Sequence, residues 1–185
     1  MNRCRAGMEA SMLSSLIPLF ASVLLVLPAA PSVAQDKLND PQIAHIAYTA
    51  GALDVEAAKQ ALAKSKNKDV VEFATLMQKD HEAVNGEALK LVKKLNVTPE
   101  DNAVSKSLTK ASQSAETKLA KLSGAEFDKA YILHEITYHK QVNQALEQQL
   151  IPGAKNQEIK GFLETGLKLF QGHEQHAEHV AAMLK

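Results

Sequence analysis

The residues in this chain able to do metal or proton chemistry are spread along it rather than grouped in one motif. They are Asp54, the adjacent pair Asp80 and His81, Glu135 with His139 four residues later, and His173. Each falls on or beside apolar residues recurring at three- and four-residue steps, the pattern of a helix face turned to a core. An ionisable group buried without a partner costs on the order of several kcal/mol, so these groups must meet one another, water or a metal ion. Imidazole and carboxylate together suit a divalent transition metal. Glu135 and His139 are one helical turn apart and can address one point, as can His173 and His176. A hydrogen-bonded cluster that fixes helix register without a metal satisfies the same physics. The residues alone leave both readings open.

The tail Gly172–His179 carries three histidines spaced by three, which drift around a helix instead of stacking. His173 is expected to point inward, His176 to lie at the edge and His179 to be wet. A surface Zn or Cu site on His176 and His179 is the weaker reading beside a solvated helix end. His45 and His134 lie off the apolar faces. Tyr131 and Tyr138 read as core aromatics rather than redox groups.

Five helices are needed to position these residues. The first is expected to start at Asp40-Pro41, with Asp40 as N-cap, and to bury Ile43, Ala47, Ala50, Asp54, Ala57 and Ala61. The second spans about 69–95, burying Val70, Phe73, Met77, Val84, Ala88, Leu91 and Leu95. Thr98-Pro99-Glu100-Asp101 has capping-box spacing for a third helix whose narrow apolar line is Val104, Leu108, Ala111, Ala115, Leu119 and Leu122. Gly124 is expected to close it, with Ser123 and Glu126 boxing the start of a fourth helix. That helix should run to Leu150 on a stripe of Asp128, Ile132, Glu135, His139, Val142, Leu146 and Leu150, and Pro152-Gly153 breaks it. A fifth, about 157–184, buries Ile159, Phe162, Leu163, Gly166, Phe170, His173, Ala177, Val180 and Leu184. The first, second, fourth and fifth helices can form an antiparallel four-helix bundle, the third lying in the connection.

The 185-residue chain begins with a leader-like segment: Arg3 and Arg5, an apolar stretch from Leu13 to Leu27, then small residues Ser32 and Ala34. This predicts a signal peptide over 1–34, cleaved before Gln35, and a bundle domain over 35–185 that reaches the periplasm or is secreted. Residues 35–39 read as a short mobile lead-in. Any membrane contact would come through the signal peptide left uncleaved; the apolar stretch is short for a spanning helix and Pro18 interrupts it. The whole chain holds 21 basic and 21 acidic residues. Cleavage removes Arg3, Arg5, Glu9 and the sole cysteine, Cys4, leaving a near-neutral chain without arginine or cysteine. Nucleic-acid binding, which rests on basic patches and arginine's planar fork, is thereby disfavoured. Disulfides, thiolate metal sites and a cysteine nucleophile are excluded from the mature chain. No specific macromolecular partner is named by the sequence.

The segments Val70–His81 (VVEFATLMQKDH), Leu122–Tyr131 (LSGAEFDKAY) with His139, and Glu158–His173 resemble the exported bacterial domain-of-unknown-function 4142 family over nearly the whole mature chain. The resemblance implies a ferritin-like fold and an envelope location, the family often being described as membrane or outer-membrane proteins. It maps the family positions onto Asp80, His81, Phe127, Asp128, Tyr131, His139 and His173. Asp54 stands where the family usually has Glu, and Lys168 where Pro is common. The family has no settled activity.

A ferritin-like fold invites a di-iron site, which needs a Glu from each of two helices and Glu-x-x-His from each of the others. That set is missing: Asp80 and His81 are adjacent, Glu135 and His139 are four apart, and no inward Glu precedes His173 by three. A mononuclear, His-rich site for Zn, Cu or Ni, drawn from Asp54, Asp80, His81, Glu135, His139 and His173, is the better expectation. No nucleophile motif, phosphate loop or cofactor fingerprint is present. The leading expectation is therefore a non-enzymatic exported bundle that binds a metal ion or serves envelope stress or homeostasis. A purely structural bundle and a metal-dependent oxidoreductase are the alternatives.

Overall fold

The structure, a computed structural model, describes residues 37–184; the predicted leader and its cleavage site lie outside them. Among the described residues there is no strand. The elements are α1 (Asp40–Lys64), α2 (Lys68–Lys94), α3 (Ala103–Ala120), α4 (Gly124–Ala145), a π-helical turn (Leu146–Leu150), the single-turn α5 (Ile151–Gly153) and α6 (Gln157–Met183). No described helix is long and apolar enough to cross a membrane.

The helix ends follow local chemistry, with corrections to the expected caps. Asn39, not Asp40, caps α1: its side chain accepts from the Gln42 N–H while the Gln42 side chain accepts from the Asn39 N–H. Leu38 packs with Ile43 in one apolar cluster, a hydrophobic staple across that cap, so the lead-in is tied down at its end. Asn96, at φ 52°, ends α2 in a Schellman turn in which Val97 N–H reaches the Val92 carbonyl and Asn96 N–H that of Lys93. Thr98 is not the cap of α3. The segment after Asn96 is held to α1 by the Glu100 N–H on the Pro41 carbonyl, and Asn102 caps instead, accepting from Val104 and Ser105. Lys121 and Leu122 close α3 with their own N–H groups, which frees Gly124, at φ 55°, to turn the chain into α4. The Ser123 side chain makes no cap. The fourth helix does not run unbroken to Leu150. Pro152 has no N–H for the carbonyl four residues back, and the turn before it widens to π geometry.

Hydrogen bonds between residues far apart in sequence fix the directions. Asp40 at the start of α1 accepts from Lys155 and Asn156 at the start of α6, so these two helices run in parallel across a diagonal. α2 is folded back on α1, and α4 on α6; α2 also packs on α6, and α1 on α4. Every adjacent pair in the four-helix ring is thus antiparallel. The chain must then return along the bundle's length between α2 and α4, and α3 provides that return. It lies along α1, tied at one end by Asn102 to the Gln42 carbonyl and at the other by Lys64 to the Ala120 carbonyl. Two helical hairpins joined by one long crossover is the ferritin-like arrangement. On α3 the inward face differs from expectation: Ser105 and Ser112 are buried, with hydroxyls bonded to Asp101 and Glu116, while Ala111 is exposed.

The apolar core is in two parts. One gathers Phe73, Met77, Phe127, Tyr131, Ile132 and Val180 with Ala57, Ala58 and Ala61. The other gathers Ile43, Ile46, Leu146, Leu150, Leu163 and Phe170. Between the two parts each of α1, α2, α4 and α6 carries buried polar residues: Asp54, His81, Glu135 with His139, and His173.

Removing the Asp40 carboxylate should strand the Lys155 and Asn156 N–H groups. Asp40→Ala is expected to cost about 1–2 kcal/mol, read as a lower urea midpoint with an unchanged slope.

Candidate metal centre

The polar layer takes Asp54 from α1, His81 from α2, Glu135 and His139 from α4 and His173 from α6, each no more than 3% exposed. α1 can approach α2 here because Gly51, one turn before Asp54, faces the Asn85 side chain, where a Cβ would collide with its amide. Asp54 Oδ2 lies 3.4 Å from His81 Nε2 and 3.5 Å from His139 Nε2. Glu135 Oε2 is 3.6 Å from His139 Nδ1. The rings of His81, His139 and His173 stand 5.3–5.7 Å apart, centroid to centroid. Two groups, His81–His139–His173 and Asp54–Glu135–His139, each bring one ligand atom per residue to within 4.8 Å of the others and could hold a metal ion.

Outer partners fix the tautomers of two rings. His139 Nδ1 is 3.0 Å from the Glu135 carbonyl, which can only accept, so Nδ1 carries the proton and Nε2 keeps its lone pair. His173 Nε2 is 3.1 Å from Asp80 Oδ2, so there Nε2–H donates and Nδ1 keeps the lone pair. Asp80 therefore sits at the margin, its side chain 23% exposed, oriented towards His173 and outside both ligand groups. His81 is held by its face, stacked on Phe170 at 4.8 Å and 9°.

Burial governs the charges. Desolvation pushes the Asp54 carboxyl up to about 7, and raises Glu135 well above the ordinary range with the neighbouring Asp54 charge adding to it. Desolvation, reinforced by the other imidazoles, lowers His81 to about 2; His139 falls to about 4, chiefly through desolvation. Burial likewise lowers His173, against the opposing pull of Asp80. Near neutrality the imidazoles are uncharged.

The remaining sequence-singled residues stand apart. His176 is half-buried with its ring edge-on to Phe73, His179 is exposed, and His45 and His134 are half-buried away from both ligand groups. Phe127, Asp128 and Tyr131 open α4, buried, with the Tyr131 hydroxyl lacking a partner. The half-buried Tyr138 donates its hydroxyl to the Ala50 carbonyl at 2.8 Å. Sequence reasoning missed Asn143, which is buried and donates to Glu174 Oε2 at 2.8 Å. Its position four residues past His139, on the Glu135–His139 face, was the available signal.

An apolar cavity of about 90 Å³ adjoins the layer, with Phe170 in its wall.

Fold and site together define an all-α bundle with a buried imidazole–carboxylate layer between two apolar cores. The chain matches the family model described as a domain of unknown function (DUF4142) over residues 26–180, and it belongs to that family. No curated protein and no solved structure matches it.

The layer makes metal-free stability depend on pH with a defined sign. Folded Asp54 keeps its proton to about pH 7, against 3.8 ordinarily, so its contribution is complete in acid and lost as pH rises between these values. His81 and His139 work oppositely: their contribution is complete above 6.5 and lost as pH falls towards about 4 and about 2. His173 sides with the imidazoles and Glu135 with Asp54. Between about pH 4 and 6.5 the two sets oppose each other; in stronger acid the imidazoles act alone, and above 6.5 the carboxylates do. Chelated protein is expected to be most stable between about pH 4 and 6.5, declining on both sides, with Glu135→Gln flattening the alkaline decline. Urea midpoints across the range check this; a midpoint climbing steadily past neutrality would contradict it.

Proposed function

We propose that this protein is an exported metal-binding bundle of the bacterial envelope. It holds one divalent transition-metal ion on His81, His139, His173 and Asp54, with Glu135 as a further carboxylate and Asp80 as the outer partner of His173. The observation that carries this reading is a set of buried polar atoms with no hydrogen-bond partner: both oxygens of Asp54 and Glu135, both ring nitrogens of His81, His139 Nε2 and His173 Nδ1. Orphaned buried polar atoms are rare and each needs a cause. One ion among them would supply it for one atom of each ligating side chain.

Distances favour the same reading. Charge-assisted N–H···O bonds run at about 2.7–2.9 Å, whereas Asp54 Oδ2 lies 3.4 and 3.5 Å from two imidazole nitrogens. Ligands bound at about 2.0–2.1 Å around a tetrahedral ion are separated by roughly 3.4 Å. The lone-pair nitrogens set by Glu135 and Asp80 match the usual outer-shell support of metal-bound histidine. Three imidazoles with carboxylate suit Zn, Cu or Ni better than an oxygen-rich iron pair. Export is supported by Arg3 and Arg5, the Leu13–Leu27 apolar stretch and Ser32-Val33-Ala34. A role in envelope metal homeostasis or stress follows from the two together.

Elemental analysis of untagged protein is expected to find about one metal per chain, its chelation lowering the thermal midpoint. Asp80→Ala should weaken affinity by about 10–100-fold, and His139→Ala should weaken it further. Metal absent from protein purified from its own host, or retained unchanged by His139→Ala, would leave the hydrogen-bonded register cluster as the reading. Mature protein recovered in the periplasmic or secreted fraction should begin at Gln35; intact chains confined to the cytoplasm would overturn export.

A further inference from the structure

The apolar cavity beside the polar layer is walled from all sides of the bundle, by Ile46 and Ala50 of α1, Val84 of α2, Leu108 of α3, Val142 of α4 and Phe170 of α6. Three features keep it open. Ala50 contributes only a methyl group. Gly166, one turn before Phe170, contributes no side chain; a Cβ there would lie 3.4 Å from the Phe170 ring. The π-helical turn widens the backbone where Leu146 and Leu150 meet the space, and such turns recur at functional sites.

Its polarity excludes most occupants. Among the polar residues touching it, Gln141 and Gln149 are exposed, Asn85 is half-buried, and the Tyr138 hydroxyl is committed to the Ala50 carbonyl. Internal water needs two to four polar partners, and an apolar cavity of about 150 Å³ stays dry and takes up xenon or benzene. At about 90 Å³ this one suits guests smaller than benzene. Phe170 is shared: it lines the cavity, and its ring stacks on His81 while standing 5.9 Å from His173.

We propose that this cavity is a binding site for a dissolved apolar gas, a molecule of dioxygen to xenon size, held against Phe170, whose ring stacks on His81. The site rests on its own walls and does not require a metal; with one bound, the Phe170 ring would stand between the gas and the metal centre.

Xenon titrated into the chelated full-length protein, followed by xenon and side-chain NMR, tests this without the metal. One saturable site per chain is expected, shifting the Phe170 and His81 ring resonances. Ala50→Leu should weaken xenon binding at least about tenfold by filling the space. Ala88→Leu, from the facing wall, serves if the first variant fails to fold. No saturable binding, binding that leaves Phe170 and His81 unmoved, or binding unchanged in the filled variant would overturn the proposal. Metal content, measured on the same preparations before chelation, tells its failure from failure of the metal reading.

Discussion

The bundle is built around a constraint that an apolar core would not impose: a layer of carboxylates and imidazoles, shut off from water, must be satisfied by what surrounds it. Buried charge is expensive and buried polar atoms without partners nearly as much so. The two apolar cores lie on either side of this layer and exclude solvent from it. Their packing sets its low dielectric, and that dielectric in turn drives the carboxyls towards their protonated form and the imidazoles towards neutrality.

Topology serves the layer. With every neighbouring pair of helices antiparallel, residues near the middle of each helix reach the same height whichever way the chain runs. Asp54, His81, His139 and His173 meet for that reason. The crossover helix α3 allows this by carrying the chain back along α1, at the cost of a helix with a largely polar surface whose buried Ser105 and Ser112 must satisfy themselves within their own turns.

Much of this was legible in the residues. The apolar periodicity of the long helices located Asp54, His81, Glu135, His139 and His173 on buried faces, because a 3.6-residue repeat interrupted by an ionisable group is readable without a partner in view. The caps were less legible. Asp40 and Thr98 have the chemistry of N-caps, but each is displaced by an asparagine whose neighbours supply the reciprocal bond, Asn39 with Gln42 and Asn102 with Ser105. Asp40 serves another helix's backbone instead. The π turn could not be read from Leu146–Leu150, because a widened turn has no residue signature beyond the proline that follows. Asp80 was readable as an interior group, but its exposure and its tie to His173 depend on how α2 is rotated against α6, which periodicity does not fix.

Charge balance ties the chemistry of the layer together. No lysine appears in either ligand group, and the chain has no arginine after Arg5, so no fixed cation offsets the carboxylates of Asp54 and Glu135. Without a metal, neutrality is reached by keeping both carboxyls protonated beside uncharged rings, which is the direction their environment drives them. In the proposed loaded state one dication replaces two protons, and the three neutral imidazoles complete its coordination without adding charge. Both states leave the interior uncharged, so the same dry cores would accommodate either, and the proposed binding amounts to an exchange of two protons for one ion.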